Sequence, residues 1–168
     1  MFYKNRPKIK IVKTAFDGLI DWFNIILLVV YFVYVYLQHQ HLPDMIPTHF
    51  GANGIPDDFG PKSSIWILPI IAFIILIGMR ILSHYPHQLN YWVKITEENA
   101  PKQYRFGIHI LRFASLYVML LFFYISYATI NIALSSEINK LGNWFLPVVM
   151  GSAIVFFLFI LIKTNSIK

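Results

Sequence analysis

The sequence predicts an all-α integral membrane protein of four transmembrane helices with a structured, proline- and glycine-rich outer loop. Three observations predict it. Of 168 residues, 57% are hydrophobic and only 13% are charged, against about 25% charged residues in ordinary soluble chains. The mean hydropathy is +0.59, so too little polar side chain remains to cover a folded surface in water, and the surface must face lipid. The apolar residues fall into four long runs, with lysines and arginines gathered at their ends. A soluble enzyme, a disordered tail and a nucleic-acid-binding domain are disfavoured together. The excess of 14 Lys and Arg over 8 Asp and Glu reads as the basic flanks of membrane spans, with no nucleic acid as partner. The chain has no cysteine, which removes disulfides, thiolate metal sites and thiol nucleophiles. We read residues 1–168 as one membrane domain.

The first run, about 19–37, carries Asp21 and Asn24 in its opening turn, where a carboxylate and an amide suit a helix N-terminus and lipid headgroups. Its length corresponds to about 28 Å of helix, close to the hydrocarbon thickness of about 30 Å. It follows Lys4, Arg6, Lys8, Lys10 and Lys13, as a signal peptide would. The run is too long for one and ends in Tyr34-Val35-Tyr36-Leu37-Gln38 instead of a small-residue cleavage site.

The second run, 65–82, has Pro69 near its start and Arg80 near its end, where a long side chain snorkels to the interface. The third extends from about Gly107 to Leu134, its span placed at 109–134. His109 and Arg112, three apart on one helix face, are expected to reach the interface at its inner end. Ser115, Ser126, Thr129 and Asn131 in this run, and Gly151-Ser152-Ala153 in the fourth (144–162), are expected to pack helices. Backbone groups in lipid must be satisfied within each segment, so the runs are helices. Ten-residue alternating segments, the mark of a barrel, are missing.

Lys and Arg number five before the first run, one (Lys62) in the first connection, and five (Arg80, Lys94, Lys102, Arg105, Arg112) around the second. The third connection has one, Lys140, and the tail two, Lys163 and Lys168. This alternation places both termini and the connection 83–108 in the cytoplasm. Loops 38–64 and 135–143 then face outside a cell membrane.

In the outer loop Pro43, Pro47, Pro56 and Pro61 stiffen the chain, while Gly51, Gly54 and Gly60 permit tight turns. Asn53-Gly54 is a turn signal and Pro56-Asp57-Asp58 a second. Turns there are expected to gather Asp44, His49, Asp57, Asp58 and Lys62 over the helix ends. One chemistry for such a set is a metal site, with His49, Asp57 and Asp44 as candidate ligands and His39 and His41 nearby. The spacing matches no standard metal motif, and capping and turn closure account more simply for these residue types. No ATP-binding loop, nucleophile elbow or dinucleotide fingerprint occurs, so no catalytic residue and no cofactor is assigned.

The inner connection is amphipathic. Tyr85, Tyr91 and Trp92 suit the headgroup belt, and Lys94, Lys102 and Arg105 suit an anionic leaflet. It reads as an interfacial elbow or, alternatively, as a surface for a cytoplasmic regulator.

The stretch Leu42-Pro43-Asp44-Met45-Ile46-Pro47-Thr48-His49-Phe50, with Gly54-Ile55-Pro56-Asp57 and Gly60-Pro61-Lys62, resembles the N-terminal membrane domain of unknown function in SdpI-type immunity proteins. That signature runs approximately L-P-x-x-I-P-x-H, then G-x-x-D, then a lysine before a helix. The inner segment Asn90 to Ala100, with Glu97, Glu98 and Asn99, followed by Tyr104, is similar to the same family's approach to its second helix pair. The resemblance covers about the first two thirds of the chain. It implies a non-enzymatic bacterial membrane protein tied to immunity and signalling, with an extracellular peptide and a cytoplasmic regulator as partners. SdpI-type proteins carry further spans after this domain, whereas four are read here. Pro43, Asp44, Pro47, His49, Gly54, Asp57 and Lys62 carry the outer motif.

Overall fold

The computed structural model describes residues 6–135 and 141–167. Lys4, Lys140 and Lys168 of the charge count, and residues 136–140 of the second outer loop, lie outside them. Among the described residues four helices are long and apolar enough to cross a membrane, the second counted from Lys62. We number them α1 (Ala15–His39), α2 (Ile67–Leu82), α3 (Ala100–Leu134) and α4 (Phe145–Ser166). The chain is therefore a multi-pass membrane protein. It is not purely α: residues Met45–Phe50 (β1) and Pro56–Pro61 (β2) form a two-stranded antiparallel sheet between α1 and α2. The alternative of an irregular loop loses because a hairpin satisfies backbone groups that turns alone leave open.

Helix boundaries differ from the apolar runs in a consistent way. Thr14 caps α1 through a reciprocal pair of bonds with Asp17, so the helix starts at Ala15, four residues before the run. A 3₁₀ turn over Lys62–Trp66 leads into α2. Pro69, Pro101 and Pro147 all sit in the first turn of their helices, where the missing N–H has no intrahelical partner to lose. Helix α3 begins at Ala100, well before the apolar stretch, because its first turns bury Gln103 and Tyr104 against protein instead of lipid. Its 35 residues make a rod of about 52 Å, longer than the hydrocarbon layer of about 30 Å.

The core lies between α1, α2, α3 and β1. Leu28, Tyr31 and Val35 of α1 meet Ala72, Met119, Ile130 and the hairpin's Ile46. Tyr31 is fully buried and its hydroxyl donates to the Phe122 carbonyl at 2.9 Å, with Ser126 Oγ at 2.6 Å. Ser126 thus joins helices as expected, and Ser152 does so through the Tyr117 hydroxyl at 2.8 Å. Asn131 instead bonds the Tyr127 carbonyl of its own helix and faces outward. Gly151 is exposed, with open space around it. Helix α4 buries only Thr164, as expected of a span whose surroundings are acyl chains.

Candidate functional site: the outer hairpin and an inner charged cluster

The outer motif folds as the hairpin. Gly54 sits at φ 75° in the turn, the left-handed region that glycine adopts without strain. Gly54 N donates to the Gly51 carbonyl and Gly51 N to that of Ile55, while Asn53 Oδ1 accepts from Ile55 N. The turn is held from outside as well, since Leu141 N donates to the Gly54 carbonyl at 2.9 Å. At the base, Lys62 N donates to the Asp44 carbonyl at 2.9 Å and Lys62 Nζ lies 3.2 Å from Asp44 Oδ1. At the tip, His49 Nδ1 and Asp57 Oδ1 are paired at 2.5 Å, with Asp58 beside Thr48.

Asp57 and Asp58 are strand residues here, not a second turn. The five polar residues therefore separate: Asp44 pairs with Lys62 at the base, His49 with Asp57 at the tip, and Asp58 lies against Thr48. His49 and Asp44 are five positions apart along the extended chain, about 16 Å, too far to share one ion. Among the described residues no three of His, Cys, Asp and Glu group so as to hold a metal. Pro43 is exposed, whereas Pro47 is buried beside Ile46 and helps seat β1 on the helices.

What the hairpin does build is a groove. Ile46 to Phe50 of β1 form one wall, and Ile67, Leu68, Ile125, Thr129 and Phe145 at the helix ends form the others, around about 360 Å³. That volume lies in the range of ligand sites, about 300 to 1,000 Å³. The lining is apolar with a few polar groups, His49, Thr48, Ser64 and Thr129.

At the opposite end of the bundle the sequence reading missed a convergence. Arg112 does not reach outward: its Nε donates to Asp21 Oδ1 at 2.9 Å and its Nη1 to Asp17 Oδ1 at 2.8 Å. His109 Nε2 is 2.9 Å from the same Asp17 oxygen. Asp21 Oδ2 also meets Arg80 Nη1 and Lys13 Nζ, both at 2.7 Å, so Arg80 pairs instead of snorkelling freely. Asp21 and Asn24 are buried, not turned to headgroups. Asp17 and Asp21 are four apart on α1, and His109 and Arg112 three apart on α3; two matched faces of opposite charge were the available signal. The result ties α1, α2 and α3 together at low dielectric, where such pairs are strong and costly to break.

The inner motif is partly structural. Asn99 Oδ1 accepts from Thr96 N at 2.9 Å and its Nδ2 donates to the Lys94 carbonyl at 3.1 Å, closing the turn that starts α3. Tyr104 is fully buried and donates to the Pro7 carbonyl at 3.0 Å. The Tyr91 ring lies tilted against that of Tyr104, with Arg6 over the Tyr91 ring. Burial and the neighbouring Tyr104 push the Tyr91 hydroxyl up, with Arg6 pulling the other way. Asn90, Glu97 and Glu98 are exposed.

Residues 26–73, from mid-α1 through the hairpin into α2, match the family model described as a domain of unknown function, DUF1648. An uncharacterized protein of Archaeoglobus fulgidus is 29% identical over 152 residues, covering 82% of this chain and 83% of that protein. No solved structure matches. The chain is a multi-pass membrane protein whose β1–β2 hairpin and flanking helices are similar to DUF1648.

Proposed function

We propose that this protein is a non-enzymatic component of a bacterial cell membrane, of the SdpI immunity and signalling type, that recognises an extracellular peptide or envelope component. The observation that carries this reading is the groove along β1. An extended segment laid beside a strand gains main-chain bonds, and apolar side chains entering the groove supply selectivity. Pro47 removes one backbone donor from β1, which leaves side-chain fit as the larger share of recognition. The charge alternation supports a groove facing outside and termini in the cytoplasm, where the exposed side chains of Asn90, Glu97 and Glu98 are open to a cytoplasmic regulator.

Two measurements test it. The cysteine-free chain permits single-cysteine labelling: Asn53→Cys reacts with an impermeant maleimide on intact cells, and Glu97→Cys reacts only after permeabilisation. The reverse pattern overturns the topology. Cells sensitive to a secreted killing peptide of the kind countered by SdpI-type proteins are protected by the native chain and less by His49→Ala or by Ile125→Trp, which fills the groove. Equal killing with and without the native chain overturns the recognition.

A further inference from the structure

At the inner end of the bundle a second and larger groove, of about 760 Å³, runs between the extended segment before α1, the start of α3 and the end of α4. Its cations are Lys10, Lys102, Arg105 and Lys163, and its apolar wall includes Ile9 and Phe106. Among the described residues none of the lining side chains is acidic. The cations come from three separate segments, so the groove exists only in the folded bundle. The groove adjoins the inner charged cluster through His109, which lines it and pairs with Asp17.

Its height relative to the bilayer follows from Gln103. That side chain, fully buried, donates from Nε2 to the carbonyls of Thr164 and Ile167, both at 2.9 Å. The first turn of α3 is thereby level with the last turn of α4, where the apolar run ends at Ile162 and Lys163 follows. Arg105 just before the apolar run of α3 and Lys163 just after that of α4 mark this level as the headgroup region. Below it Phe159 and Ile162 of α4 are exposed, at 54% and 71%, an apolar track leading away from the cations.

We propose that this groove binds the phosphate of an anionic phospholipid, with Lys10, Arg105 and Lys163 as the charge partners and the acyl chains lying along Phe159 and Ile162 of α4. Charge complementarity selects an anion, and the apolar wall and track select one that carries hydrocarbon. Basic pockets between spans at the headgroup level recognise such lipids by this combination. The site is independent of the role given to the outer hairpin.

The test is native mass spectrometry of the full chain in a mild detergent, titrated with phosphatidylglycerol, with phosphatidylcholine, or with inorganic phosphate alone. One phosphatidylglycerol is expected to be retained in preference to phosphatidylcholine, and millimolar phosphate is expected not to displace it. Arg105→Gln with Lys163→Gln should weaken retention roughly 30-fold. Lys8→Gln with Lys94→Gln, an equal change of net charge outside the groove, should leave it unchanged. Lys10→Gln, on an extended segment where no helix is at stake, should weaken it roughly fivefold on its own. Displacement by phosphate would identify the occupant as a free anion and overturn the proposal. So would equal weakening by the groove and control pairs, or no effect of Lys10→Gln.

Discussion

Arg112 holds Asp17 with one nitrogen of its guanidinium and Asp21 with another, at 2.8 and 2.9 Å, and so fastens α3 across one full turn of α1. All three side chains are nearly buried, at 12%, 4% and 9% exposure.

Removing the cation leaves two carboxylates short of a partner at low dielectric. Arg112→Gln is expected to cost about 3 kcal/mol, measured by denaturant unfolding in micelles. Combining it with Asp17→Asn should cost less than the sum of the two, because each single change strands the other charge. Strict additivity would show that the bonds contribute no coupling.

Tyr31 joins α1 to α3 through the Phe122 carbonyl and Ser126. Tyr31→Phe keeps the ring and its edge contact with Phe123 but leaves a buried carbonyl and hydroxyl short of a partner. A loss of about 1 to 2 kcal/mol is expected. A neutral result would mean that both groups find other partners once the hydroxyl is gone.

The hairpin turn depends on Gly54 for a positive φ and for its approach to Gly142, whose backbone N lies 3.4 Å from where a Cβ would stand. Gly54→Ala is expected to cost about 1 to 2 kcal/mol locally. The readout is faster proteolysis within residues 51–55, with α1 to α3 still folded by circular dichroism. Unchanged proteolysis would remove the turn's claimed dependence on glycine.

Gln103 is the polar tie between α3 and the end of α4. Gln103→Leu should raise amide exchange over residues 160–167 by about tenfold, the equivalent of one lost hydrogen bond set of roughly 1.4 kcal/mol. Exchange elsewhere in α4, near the Tyr117 to Ser152 contact, should change little. A uniform rise along the helix would mean that α4 is held as a unit.

The spans were legible because lipid imposes a length and a polarity that composition reports directly, as the runs 19–37 and 144–162 illustrate. Their ends were less so. Gln103 and Tyr104 read as polar connection, yet they are buried by α4 and by the segment before α1, which no local pattern encodes. In the outer loop Asn53-Gly54 marked the turn, but the register that parts Asp44 with Lys62 from His49 with Asp57 is a property of strand pairing. The inner cluster was half visible: the spacing of Asp17 to Asp21 and of His109 to Arg112 marked charged faces. Which face met which depends on how α1 and α3 pack.

Helix α4 is joined to its neighbours by Gln103, by Tyr117 with Ser152, and by Tyr124 donating to the Leu141 carbonyl just before it. Almost all of its apolar surface is left for solvent of its own kind. The choice of amphiphile is then part of the preparation of this protein: a bilayer-like medium completes the fourth span, and a harsh short-chain detergent parts it first while the other three stay together.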